Sequence, residues 1–177
     1  MWIKSAFNHG ARILFDGTCQ YNVNSRLYQL RKNIRNIVSR NLRLVSIVDD
    51  EPDITTLFKD ALTNISNVRI FTFTDPLLAL EHLSINRDDY ALIISDLRMP
   101  GLDGMELVKR VKSMNRYVRT ILMTAFDIDY AIFKDYAKRR IISDFLQKPI
   151  PLNDLRAKVN DALHLYEMGI QESIVTK

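Results

Sequence analysis

The sequence predicts an α/β chain built on a doubly wound parallel sheet of five strands, in the order 2-1-3-4-5, with helices on both faces. Three observations predict it. From Leu42 onward, short β-rich apolar runs alternate with stretches of helical period. Parallel neighbours need a crossover, which such helices supply. The first and third runs are the most uniformly apolar, as central strands covered on both faces are. Right-handed crossovers then leave few topologies, among them this order.

The elements follow in turn. Leu44-Val45-Ser46-Ile47-Val48 is the first strand. Ile54, Leu57, Phe58, Ala61, Leu62 and Ile65 recur at three- and four-residue steps and mark one helix face. Val68-Arg69-Ile70-Phe71-Thr72-Phe73 is the second strand, and Asp75-Pro76 then reads as an N-cap and first helical position, opening a helix through Leu77, Leu80 and Leu83. Ala91-Leu92-Ile93-Ile94 is the third strand. Asp103-Gly104 precedes a helix carrying Met105, Leu107, Val108, Val111 and Met114. Thr120-Ile121-Leu122-Met123 is the fourth strand. The helix after Phe126 is weaker: Ile128, Ala131 and Ile132 are apolar, but Lys134, Lys138, Arg139 and Arg140 wet much of it. Ser143-Asp144-Phe145-Leu146 is the fifth strand, and Leu152, Leu155, Val159, Leu163 and Tyr166 define the last helix after Pro149 and Pro151.

This organisation predicts a folded domain over 42–168, a tail over 169–177 and a basic N-terminal extension over 1–41. Within the extension, Asn24-Ser25 caps an expected helix over 25–40, with Leu27, Leu30, Ile34, Ile37 and Val38 on one face. Residues 1–23 show no strong period. At 177 residues, 47% hydrophobic and 26% charged, the chain has apolar mass for a core and length for one domain plus an appendage. No run approaches eighteen consecutive apolar residues, so no membrane-spanning helix is expected, and the N-terminus lacks the apolar block of a secretory signal. A lone Cys19 excludes an internal disulfide framework and fits a reducing compartment, so a cytoplasmic location is expected.

Charge is unevenly spread. Residues 1–41 carry seven basic side chains against Asp16, a net of +6, whereas 42–177 carry eighteen basic and twenty acidic groups, a net of −2. Binding to a polyanion would therefore fall to the extension, where Arg26, Arg31, Lys32, Arg35 and Arg40 surround the apolar face. The plainer expectation is a helix that packs on its own domain, pairs with a second copy in a homodimer, or lacks stable order.

Polar residues close four of the five strands: Asp49-Asp50 the first, Asp96 the third, Thr124 the fourth and Lys148 the fifth. The carboxyl edge of an open α/β sheet is where ligands bind. Taken singly, each residue has an ordinary structural reading: a helix-dipole acid pair, a turn residue, a buried hydroxyl, a surface lysine. In register they converge on one crevice. Two carboxylates about 4 Å apart repel by roughly 4 kcal/mol at an effective dielectric near 20, so a hard cation is expected there. Oxygen ligands with open positions for water and phosphate suit Mg²⁺. With that charge screened, Asp96 has the chemistry to attack phosphorus, Lys148 to balance phosphoryl charge and Thr124 to donate a hydrogen bond.

Four blocks carry a resemblance: Ile47-Val48-Asp49-Asp50-Glu51-Pro52, Ser95-Asp96-Leu97-Arg98-Met99-Pro100-Gly101-Leu102-Asp103-Gly104, Leu122-Met123-Thr124-Ala125 and Phe145-Leu146-Gln147-Lys148-Pro149. In their order and spacing over about 42–167, the chain resembles the receiver domain of two-component response regulators. The resemblance implies a flavodoxin-like fold and a phosphoacceptor, Asp96, charged by a sensor histidine kinase or histidine phosphotransfer protein. It implies Mg²⁺ ligation by Asp50 and Asp96, by Asp49 mostly through water, and by the Arg98 backbone carbonyl. It also implies a cis Lys148-Pro149 bond. On phosphorylation Thr124 would move toward the phosphoryl group and Phe145 rotate inward, changing the face made by the fourth helix, fifth strand and fifth helix toward a downstream protein target.

Two departures stand out. Ile141-Ile142 replaces the family's usual glycine-alanine before the fifth strand, and Arg98 and Phe126 occupy positions that tune phosphate lifetime in relatives. The function expected is that of a single-domain regulator without a catalytic or DNA-binding output. One rival is a Mg²⁺-dependent phosphohydrolase, which would want a second acid where Arg98 stands. Another is nucleic-acid or partner binding through the basic helix, under receiver control.

Overall fold

The structure, a computed structural model, describes residues 42–125 and 130–175. The elements alternate strictly. They are β1 (Arg43–Val48), α1 (Pro52–Leu62), β2 (Val68–Phe73), α2 (Pro76–Ile85), β3 (Tyr90–Asp96), α3 (Gly104–Met114), β4 (Arg119–Thr124), α4 (Tyr130–Lys138), β5 (Asp144–Gln147) and α5 (Leu152–Val175). The strands form one sheet in the order β2-β1-β3-β4-β5, and every neighbouring pair is parallel. This is the order the alternation of runs predicts.

Strand β3 explains why that alternation is so legible. Leu92 and Ile94 pack with Phe58, Leu62, Leu155 and Val159 of α1 and α5, while Ile93 packs with Ala79, Leu83, Leu107 and Val111 of α2 and α3. Side chains alternate across a strand, so a strand covered on both faces must be apolar at consecutive positions. All seven of its residues are buried. A third, smaller cluster of Val108, Leu122 and Ile142 closes the sheet toward α4, with Tyr136 against it.

Local signals start and stop the helices. Asp75 caps α2 by accepting from the Leu77 amide at 2.7 Å, and Asp103 caps α3 by accepting from the Glu106 amide at 2.7 Å. Each cap contributes about 1 kcal/mol relative to alanine. Helix α4 ends in a Schellman turn: the Ile141 amide reaches the Tyr136 carbonyl at 3.0 Å, and the Arg140 amide reaches that of Ala137 at 2.9 Å. Arg140 stands at the position that usually holds glycine, with φ at 57°.

Two details differ from the sequence expectation. Leu57 and Leu77, assigned to apolar helix faces, are 47% and 55% exposed; the buried faces are Phe58, Ala61 and Leu62 on α1, and Pro76, Ala79 and Leu83 on α2. Three- and four-residue spacing admits two overlapping faces, and tertiary packing chooses one. Helix α5 continues to Val175, through most of the segment expected as a tail. Gly169 is a single helix-weakening residue with no proline behind it, and its cost of about 1 kcal/mol does not stop the helix. The expected helix over 25–40, the extension that contains it and Phe126 lie outside the described residues.

Candidate functional site

The strands' carboxyl ends bring the expected residues to one rim. Asp49 follows β1, its amide still bonded to the Phe73 carbonyl at 3.1 Å, and its side chain is wholly buried. Asp96 is the last residue of β3 and Thr124 the last of β4; both are buried. Lys148 directly follows β5, and its amide donates to the Thr124 carbonyl at 2.7 Å. Lys148-Pro149 is cis.

One ammonium joins these ends. Lys148 Nζ lies 2.8 Å from Asp49 Oδ2 and 2.7 Å from Asp96 Oδ1, with Glu51 Oε1 at 3.9 Å. The other oxygens are held by backbone: Asp49 Oδ1 accepts from the Glu51 amide at 3.1 Å, and Asp96 Oδ2 from the Arg98 amide at 2.7 Å. Such charge-assisted bonds are the strong class, and they fix both carboxylates in orientation. Burial pushes the Asp49 carboxyl above its ordinary range, against the bonds from Lys148 and Glu51 that pull it down. Burial also pulls Lys148 down, but the bonds and charges of Asp49 and Asp96 outweigh it and hold the ammonium above its usual value.

The remaining residues are placed differently. Asp50 is exposed at the rim beside Asp49. Arg98 is exposed, and its contact with Asp96 runs through the backbone amide. Phe145 is half-buried on β5, opposite Leu122 of β4, and its amide donates to Asp144 Oδ1 at 2.8 Å.

Two site residues were not singled out from the sequence. Glu51 adds a third carboxylate near Lys148, and its position directly after the acid pair is the signal for it. Gly104 opens α3 hard against Asp96: a Cβ there would lie 2.0 Å from the Asp96 carbonyl oxygen and 2.9 Å from Ser95 Oγ. Only glycine lets this helix start so close beneath the carboxylate.

A divalent cation fits this donor set. Asp49, Asp50 and Asp96 against one ammonium leave two negative charges in excess, and carboxylate oxygens are the donors a hard cation takes. Among the described residues no three Asp, Glu, His or Cys side chains are grouped so as to hold a metal ion between them. Backbone oxygen and water would therefore complete the coordination, as Mg²⁺ readily accepts.

Fold and rim together define a receiver module, with an aspartate at the end of the central strand faced by a lysine from the edge strand. The model of the response regulator receiver domain matches residues 45–160, and the chain belongs to that family of two-component phosphorelay signalling. The chain is 32% identical over 128 residues to the cyclic di-GMP phosphodiesterase response regulator RpfG of Xanthomonas campestris, covering 71% of this chain and 33% of that protein. It is 29% identical to sporulation initiation phosphotransferase F of Bacillus subtilis, over 68% of this chain and 94% of that one. A response regulator receiver domain protein from Clostridium thermocellum superposes with a TM-score of 0.63 at 26% identity, covering 72% of this chain and 98% of that one. The chain spans 33% and 25% of the length of the first curated relatives it matches. Among the described residues no helix is long and apolar enough to cross a membrane.

Proposed function

We propose that Asp96 accepts a phosphoryl group from the phosphohistidine of a sensor histidine kinase or histidine phosphotransfer protein, and that the chain acts as a phosphorylation-controlled interaction switch. The observation that supports this most is the Lys148 ammonium at 2.7 Å from Asp96, its other carboxylate contact being the buried Asp49. The Arg98 amide holds Asp96 Oδ2, which orients the carboxylate for in-line attack. Asp96 then attacks phosphorus, the phosphorus–nitrogen bond breaks, and the donor imidazole leaves with the bonding pair. Lys148 stays with the phosphoryl oxygens as charge moves onto the acyl phosphate. The Thr124 hydroxyl donates to one of those oxygens. Mg²⁺, held by Asp49, Asp50, Asp96 and the Arg98 backbone carbonyl, would screen the carboxylates from the incoming phosphoryl charge.

The readout assigned here is a change in the face of α4, β5 and α5, set by Thr124 and Phe145, toward a protein target. Output through protein contact is the reading favoured by the match to nearly the whole length of a phosphotransferase the size of one receiver. Incubation with acetyl phosphate and Mg²⁺, followed by intact-mass analysis, tests the core of the proposal. Labelling of wild type, none of Asp96→Asn and none in EDTA are expected. No labelling under conditions that load another receiver overturns it, and turnover of p-nitrophenyl phosphate would point to a phosphohydrolase instead.

A further inference from the structure

At the opposite rim, where β4 and β5 begin, lies a cavity of about 950 Å³. Its charged lining is one-sided: Lys112, Arg116, Arg119, Arg139 and Arg140 against the single carboxylate of Glu172. Helix α5 makes one wall, contributing Leu165 and Met168, which are 45% and 46% exposed, and its continuation past 168 adds Gly169 and Glu172.

Cations near helix C-termini often serve only the local fold, and two of these do. Lys112 Nζ bonds the Val118 carbonyl and lies 3.4 Å from that of Arg116, while Arg139 pairs with Asp135 at 3.0 Å. Arg119 and Arg140 do not fit that account. Arg119 gives one terminal nitrogen to the Leu165 carbonyl at 3.0 Å, but its Nε is buried with no hydrogen-bond partner among the described residues. A buried donor left unpaired costs free energy that an acceptor would recover. Arg140 presents its cation from a left-handed backbone position where glycine carries no strain. Burial, with the charges of Arg119 and Arg140, pushes Lys112 down to about 8. Glu167, on the same helix as Glu172, faces elsewhere and pairs with Arg43 at 2.5 Å, on the β1 side of the sheet.

We propose that this cavity binds a phosphorylated small-molecule anion. Arginine forks match phosphate geometry. The volume falls within the range of small-molecule sites, and the apolar wall of α5 offers surface to an organic portion. The site lies roughly 16 Å from the Asp96 rim along the length of β4, and it is independent of the phosphoacceptor chemistry.

Calorimetric titration of the full chain with pyrophosphate and with ATP, in EDTA and about 50 mM salt to limit screening, tests this. Saturable binding is expected, weakened about tenfold by Arg119→Gln or Arg140→Gly, the size of one lost charge-assisted bond. Glu172→Gln should tighten it, and Asp96→Asn should leave it unchanged. Arg140→Gly removes a charge while relieving the backbone, so a melting temperature no lower than wild type separates lost binding from lost folding. Tighter binding of ATP than of pyrophosphate supports a role for Leu165 and Met168; equal affinity supports recognition of phosphate alone. The proposal is overturned if neither probe saturates, if both arginine variants bind like wild type (which would move binding to the basic extension), or if Asp96→Asn abolishes it.

Discussion

Replacing Gly104 with alanine should damage stability and phosphoryl chemistry together. The added Cβ would sit 2.0 Å from the Asp96 carbonyl oxygen and 2.9 Å from Ser95 Oγ, inside the 3.0 Å that real Cβ contacts essentially never breach. Relief needs a movement of more than 1 Å by the end of β3 or the start of α3. Neither can give easily. The β3 end is buried and paired to both neighbours, and the Gly104 amide is bonded to the Leu97 carbonyl at 3.0 Å. Overpacking of close-packed sites costs 1–3 kcal/mol, and backbone as the obstructing group places this case near about 3 kcal/mol. Gly169→Ala is the control: nothing lies within 4 Å of its added Cβ, and the site is inside α5. That substitution should stabilise by about 0.5–1 kcal/mol. Urea denaturation of both variants, with the rate of Asp96 labelling by acetyl phosphate, is the assay. A Gly104→Ala protein within about 0.5 kcal/mol of wild type and labelled at the wild-type rate would refute the reasoning.

Three further outcomes are expected. Lys148→Ala strips the shared counter-ion from Asp49 and Asp96; it should cost about 3 kcal/mol in EDTA, and Mg²⁺ should raise its melting temperature more than that of wild type. Tyr90 is buried and its hydroxyl lies 2.8 Å from Nδ1 of His82, whose ring also meets those of Phe71 and Phe73; Tyr90→Phe should lower stability by about 1 kcal/mol in urea titration, and no change would show that water replaces the bond at no cost. Lys112 is held near 8 against an ordinary 10.5, so the folded state binds fewer protons than the unfolded state between those values. Its contribution to stability is unfavourable below about pH 8 and that penalty fades as pH rises to 10.5; the urea midpoint of wild type should therefore rise relative to that of Lys112→Met from pH 7 to pH 10, and a difference that is independent of pH or falls would contradict it.

How much of this was readable in the sequence depends on how local each signal is. Strands β1 and β3 announce themselves because burial on both faces demands uninterrupted apolar residues. Asp49, Asp96, Thr124 and Lys148 are legible because each closes such a run, and a parallel sheet carries every run's end to one rim. Leu57 and Leu77 were misplaced because helical spacing defines a stripe without saying where its margin falls. The turn after α4 gave no signal, since Arg140 stands where glycine would have marked it. The clearance at Gly104 is a distance between two elements, which periodicity does not encode. The basic cavity draws on α3, β4, α4 and α5, so its cations never form a contiguous run.

Because all five strands point the same way, the module keeps Asp49, Asp50 and Asp96 at one pole and, on the β4–β5 side, Arg119 and Arg140 at the other. Such a separation amounts to a permanent electric moment along the strands. In the field of a charged partner it exerts a torque before any surface touches. A cationic docking face would thus meet the Asp96 pole first, and encounters would begin already aligned for chemistry.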